Sequence, residues 1–182
     1  MAAPSTFARE SARYLADVYL PRLRSAAAIL PAADLFWRPH PDCISFGTIL
    51  LHLEGNVRQW LLCGLGAAED RRDRDSEFAA TSAPGGVDAQ RLLDALQATV
   101  GEAAQLLEAL DPSELSRELS IQGFQVSCEE AVYHVVEHFS WHTGQAVWIA
   151  KARAGAGHGL GFYDYASLQQ AAGSPFDPTK SP

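Results

Sequence analysis

Apolar residues recur every three or four positions through four long stretches of this chain, and little of it alternates in the way a half-buried strand does. That spacing lays an apolar stripe along an α-helix. The first stretch, residues 6–29, carries Phe7, Tyr14, Leu15, Val18, Leu23 and Ala27 in helical register, with Pro21 inside it. Proline lacks the N–H and crowds the preceding turn, so a kink or break is expected near Tyr19. The second opens at Ser45 as N-cap and runs to about Leu65, closing on Gly64 and Gly66. The third spans residues 88–110 and stops at Asp111 and Pro112; the fourth opens with Ser127 and Glu130, the spacing of a capping box, and runs to about Arg153. Lys151 and Arg153 suit its negative end.

The connections differ in kind. Pro39 and Pro41 exclude regular helix before Asp42, residues 67–86 read as a long surface loop, and residues 117–126, broken by Gly123, read as an extended excursion or small hairpin. The expected fold is all-α: a four-helix bundle with one crossover connection and a short extended excursion before the last helix. One domain covers residues 1–165, with Phe162, Tyr163 and Tyr165 docking back on the bundle and a partly disordered tail over 166–182.

A net charge of −8 with no Lys/Arg cluster argues against nucleic acid or an anionic membrane as partner, which leaves a small-molecule substrate. No apolar run approaches the ~18 residues that span a bilayer. Three cysteines without CxxC spacing, Cys43, Cys63 and Cys128, fit free, buried thiols in a reducing cytoplasm.

Histidine is scarce, six residues in the chain, and half are His134, His138 and His142 in the fourth stretch. Positions i and i+4 share a helix face, so two such imidazoles can converge on one ion. His134 and His142 are about 12 Å apart along the axis, too far to share ligand bonds of about 2 Å. The pair is therefore His134/His138 or His138/His142, and spacing alone leaves both open. His52, in the second helix, is the obvious third ligand. Asn56, Gln59 and Cys63 continue its stripe as a polar seam in an otherwise apolar helix, and such a seam must be hydrogen-bonded or metal-bound. The segment from His134 to His138 also matches H-x-x-E-H, an inverted zinc-peptidase spacing in which Glu137 would be the general base.

Residues 47–60 and 133–145, ending in His-x-x-x-His-x-Gly-Gln, resemble the second and fourth helices of the DinB/YfiT-like superfamily. The loop from Arg72 to Phe78 is similar to one in an uncharacterised branch of it, and the resemblance covers roughly residues 6–165. It implies a three-histidine site for zinc, nickel or a similar divalent ion, with His52, His138 and His142 as ligands. His134 then becomes a neighbour one turn away, and Asn56 and Gln145 match polar positions beside the site. Ile44 departs from the pattern, standing where that branch often has Asn. The resemblance further implies homodimers, and activities that use low-molecular-weight thiols.

Three neutral imidazoles leave an ion its full charge and an open position, the arrangement of a catalytic rather than a structural site. Such an ion can lower the pKa of bound water to near 7 or deprotonate a coordinated thiol. The first expectation is a metal-dependent transferase that activates a small thiol. A hydrolase using metal-bound water is the second, with Glu137 as base, since Glu54 lies about 200° around the helix from His52. Arg58, Arg72 and Arg74 are candidates for an anionic substrate, although a solvated charged surface is the commoner role. The rival class is a non-catalytic, metal-stabilised, stress-related binding protein.

Overall fold

A computed structural model describes residues 5–82, 86 and 88–162. Helix α1 (Thr6–Arg13), a π-helical turn (Tyr14–Tyr19) and α2 (Leu20–Ile29) run on as one rod. Pro21 does not break it. The expected discontinuity is absorbed as a widened turn, in which the N–H of Leu20 bonds the carbonyl of Leu15, five residues back. Helix α3 (Phe46–Val57) starts where Ser45 Oγ accepts from the Thr48 N–H and passes into a second π-turn (Arg58–Cys63). This widened turn shifts the later residues out of simple α register. His52 and Asn56 line a cavity beside the histidines, whereas Gln59 and Cys63 do not.

The stretch after Gly66 is more than a surface loop. It contains a short helix, α4 (Arg74–Ala79), capped by Asp73, which accepts from the Ser76 N–H. Helix α5 (Ala89–Ala109) begins at Asp88, and a 3₁₀ turn (Pro112–Ser116) comes after it. Strands β1 (Glu118–Ile121) and β2 (Phe124–Ser127) pair antiparallel, Glu118 opposite Ser127 and Ile121 opposite Phe124. Their two-residue turn is Gln122-Gly123, with φ of 53° and 83°. Positive φ at both positions gives the hand of turn that suits twisted strands, and glycine adopts it without strain. Helix α6 (Cys128–Ala154) opens with the capping box of Ser127 and Glu130 and ends at Gly155, φ 77°. Arg153 reaches Asp34 at 2.9 Å instead of only facing the helix end.

The rod of α1 and α2 packs on α5 and α6, and α3 also packs on α5 and α6, so the chain crosses the bundle between α2 and α3. Leu15, Leu23, Phe46, Ile49, Leu53, Leu61, Leu93, Leu96, Leu107 and Phe139 are wholly shielded in one continuous core. Leu119 and Ile121 of the hairpin join it, alternating with exposed neighbours. Among the described residues, no helix is long and apolar enough to cross a membrane. All three cysteines are free, but only Cys128 is buried; Cys43 is exposed, which corrects the expectation of buried thiols. Burial pushes the Cys128 thiol up, away from a reactive thiolate. The Phe162 ring lies 5.5 Å from the Arg22 guanidinium, whereas Tyr163, Tyr165 and the tail 166–182 lie outside the described residues.

Leu96 is fully buried and sits on α5, outside the two histidine-bearing helices. Leu96→Ala is expected to lower unfolding free energy by about 2–5 kcal/mol. Urea titration followed by circular dichroism measures it; a loss below about 0.5 kcal/mol, the range of surface changes, would contradict this packing.

Candidate metal centre

Helix α3 supplies His52 and helix α6 supplies His134, His138 and His142, each projecting into the seam between the two. Spacing leaves two pairings open, and the structure separates them. One ligand nitrogen from each of His52, His138 and His142 lies within 4.8 Å of the others. His52 Nε2 and His138 Nε2 are 2.9 Å apart, and the His142 ring centroid is 5.0 Å from that of His52 and 4.5 Å from that of His138. Two nitrogens bound to one ion at about 2 Å each stand roughly 3–4 Å apart, so small ring adjustments bring all three to a common point. These residues could hold a divalent ion.

His134 stands one turn away. Its Nε2 is 3.5 Å from Asn56 Nδ2, and its ring packs 4.2 Å from that of Trp60. Asn56 is buried, and its Oδ1 has no hydrogen-bond partner. Gln145 Oε1 lies 2.7 Å from His142 Nδ1, which fixes that ring with its proton on Nδ1 and frees Nε2 as a ligand. Glu137 is exposed and lines a surface groove with Phe7, Tyr133 and His134; the structure does not bring it to His52, His138 and His142. Glu54 and Arg58 turn away as well, bonding each other and Thr99 of α5.

The charged stretch after Gly66 supplies two site residues whose sequence context reads as solvated surface. The Arg72 side chain is 4% exposed and holds both oxygens of Glu77, Nε to Oε1 at 2.7 Å and Nη2 to Oε2 at 2.9 Å. Glu77 Oε2 is in turn 3.0 Å from His52 Nδ1. Gln59 Oε1 accepts from Arg72 Nη1 at 2.9 Å and also from the Gln122 amide at the hairpin tip. Arg38 fastens the far end of α4 by donating to the carbonyls of Phe78 and Ala80, each at 3.0 Å. The one sequence signal for this docking is Gly55. A Cβ there would collide with Glu77 Oε1 and fall 2.8 Å from Arg72 Nε, so only glycine lets the pair close on the helix.

Burial sets the charge state of His138 and His142. It holds His138 down to about 3, helped by the like charge that His142 and His52 would carry, and His142 down to about 4. Both are therefore neutral, with lone pairs available, near pH 7. Burial alone would raise the Glu77 carboxyl, but hydrogen bonds from Arg72 and His52 outweigh it and keep the group below the usual carboxylate range. Arg74 stays exposed, stacked 4.7 Å from the Phe78 ring.

Two cavities meet the cluster. One, about 610 Å³, is lined by His142, Gln145, Ile44, Phe78, Trp148 and Ile149 among others. The other, about 350 Å³, is reached from His52 and His138 and has Trp60, Phe124 and His134 in its walls.

A family model described as "Protein of unknown function (DUF1572)" matches residues 11–158, and so takes in His52, His134, His138 and His142. No curated protein and no solved structure matches the chain.

The unfolded chain's histidines take protons below their ordinary 6.5, whereas His138 and His142 in the fold resist until about 3 and about 4. Between those values the unfolded state binds more protons, so stability falls as pH falls. The Tm of protein stripped of metal with EDTA is expected to drop from pH 6.5 toward pH 4.5, and less steeply in His138→Gln. Equal slopes in the two proteins would contradict it.

Proposed function

We propose that this chain, which belongs to the DUF1572 family, is a metal-dependent enzyme of the DinB/YfiT-like kind, a transferase that activates a low-molecular-weight thiol. One observation carries the reading: three histidines converge, with no carboxylate or thiolate in the set, on a point open to two cavities. Bound there, zinc, nickel or a similar ion would supply a Lewis acid whose charge the ligands do not cancel, able to favour the thiolate of a coordinated thiol.

The residues around that point divide the remaining work. His52, His138 and His142 are the proposed ligands, and Gln145 holds the His142 ring by its other nitrogen. The wider cavity, with Ile44, Phe78, Trp148 and Ile149, suits the apolar part of an electrophile. The smaller one, between Trp60 and Phe124, suits the thiol's own body. A pair of cavities favours two organic reactants over one reactant and water. So does the placement of the carboxylates. Among the described residues Glu77 is the one carboxylate that hydrogen-bonds a histidine of the cluster, and Arg72 already engages both of its oxygens. It is poorly placed to serve as a free base for hydrolysis.

Metal content by mass spectrometry tests the site. About one divalent ion per chain is expected after loading with zinc or nickel, lost in His52→Ala, His138→Ala and His142→Ala and retained in His134→Ala. Loss in His134→Ala with retention in His142→Ala would sink this ligand set. The zinc-loaded protein should then speed the reaction of cysteine or glutathione with 1-chloro-2,4-dinitrobenzene by at least tenfold over His52→Ala. Hydrolysis of 4-nitrophenyl acetate without thiol turnover would favour the hydrolase instead.

A further inference from the structure

His52 Nδ1 has two neighbours that make opposite demands. Glu77 Oε2, at 3.0 Å, can only accept a hydrogen bond, whereas Arg72 Nη2, also at 3.0 Å, can only donate one. A neutral imidazole carries a single ring proton. With it on Nε2, directed at His138 Nε2 2.9 Å away, Nδ1 accepts from Arg72 and turns a lone pair toward the carboxylate. With it on Nδ1, the ring donates to Glu77 and Nε2 is bare.

We infer that Glu77 is a positioning residue for the metal centre: it holds the His52 proton on Nδ1, and so couples docking of the α4 segment to metal binding. This rests on the proposed metal site. An ion shared by His52 Nε2 and His138 Nε2 requires the Nδ1–H form of His52, and that is the form the carboxylate stabilises. Linkage makes the effect reciprocal, so an ion at the histidines also tightens the seat of Glu77.

The way Glu77 is held supports the inference. A buried ion pair is a weak source of net stability, because desolvation offsets most of its attraction. Yet this one is built with care. Arg72 engages both carboxylate oxygens and Gln59, Arg38 ties down the far end of α4, and Gly55 leaves room for the pair on α3. Glu77 lies 25 residues from His52 in the chain and arrives by a segment with few other anchors in the core. The arrangement matches the carboxylate–histidine–metal relay, in which the outer partner fixes the ring and raises its basicity.

The test uses the full chain, stripped with EDTA and titrated with zinc chloride by calorimetry. Wild type is compared with Glu77→Gln and with Gly55→Ala, which leaves the carboxylate intact but pushes it off its seat. Zinc affinity is expected to fall about 10- to 100-fold in each. Hydrogen exchange of residues 72–80 should slow on adding zinc to wild type but not to Glu77→Gln, and ¹⁵N spectra should place the His52 proton on Nδ1 in metal-free wild type but not in metal-free Glu77→Gln. A purely structural Glu77 would lower the Tm of the metal-free protein without altering that tautomer or the zinc-dependent protection. Unchanged zinc affinity in both variants, or loop exchange in wild type indifferent to zinc, overturns the inference while leaving the metal site standing. A wild type that binds no zinc overturns both. The wild-type exchange comparison decides the matter even where a variant fails to fold.

Discussion

Imidazoles, a guanidinium and a carboxylate are costly to place between apolar helices unless each finds a partner. That cost organises this end of the bundle. His142 is satisfied from its own helix by Gln145, three residues on. His52 has no such neighbour on α3, and its outer nitrogen is met by a segment arriving from elsewhere in the chain. The fold around it is shaped by that delivery. The chain leaves α3 at Gly64, turns back along the same helix through Asp70, and places Arg72 and Glu77 over Gly55. The hairpin before α6 adds Gln122 to the same network, so two connections that could have been plain linkers converge on one helix face.

The donor set gives the centre its chemical character. Thiolates would neutralise an ion, and a ligating carboxylate would halve its charge; three imidazoles do neither. The negative charge of Glu77 is kept one atom layer back, on the far side of an imidazole, with Arg72 balancing it. An ion so held would keep its pull on an incoming group. The cavities beside it differ: the larger has Ile44, Phe78, Trp148 and Ile149 in its wall, and the smaller mixes Trp60 and Phe124 with the charged Arg72, Arg74 and Glu130.

Most of the architecture was legible in residue spacing. Apolar periodicity marks the four long helices, and Ser45, Asp88 and Ser127 mark three of their starts, because a side-chain oxygen at an N-cap has few other uses. The histidine cluster was legible only in part. Spacing cannot choose between two i, i+4 pairs that share His138; the choice depends on how α6 is rotated against α3, which is a matter of packing. Arg72 and Glu77 were illegible for a different reason. A run of alternating charges reads as solvated surface, and nothing local shows that one arginine and one glutamate of that run face inward. Gly55 held the clue, a missing side chain one turn from a histidine in a helix of large residues. Pro21 misled in the opposite sense, since a widened turn can hide a missing N–H without ending a helix.

Widened turns recur in α3's continuation, where residues Arg58–Cys63 come directly after the histidine-bearing segment. A π-turn accommodates one residue more than an α-turn, and that residue rotates everything beyond it by roughly 100°. The rod thus behaves as two helices of different phase spliced end to end. Upstream, one phase aims His52 and Asn56 at α6; downstream, the other buries Leu61, Leu62 and Leu65 in the core. A single-residue deletion within the splice would leave a longer, more regular helix whose two halves could no longer both face where they now do.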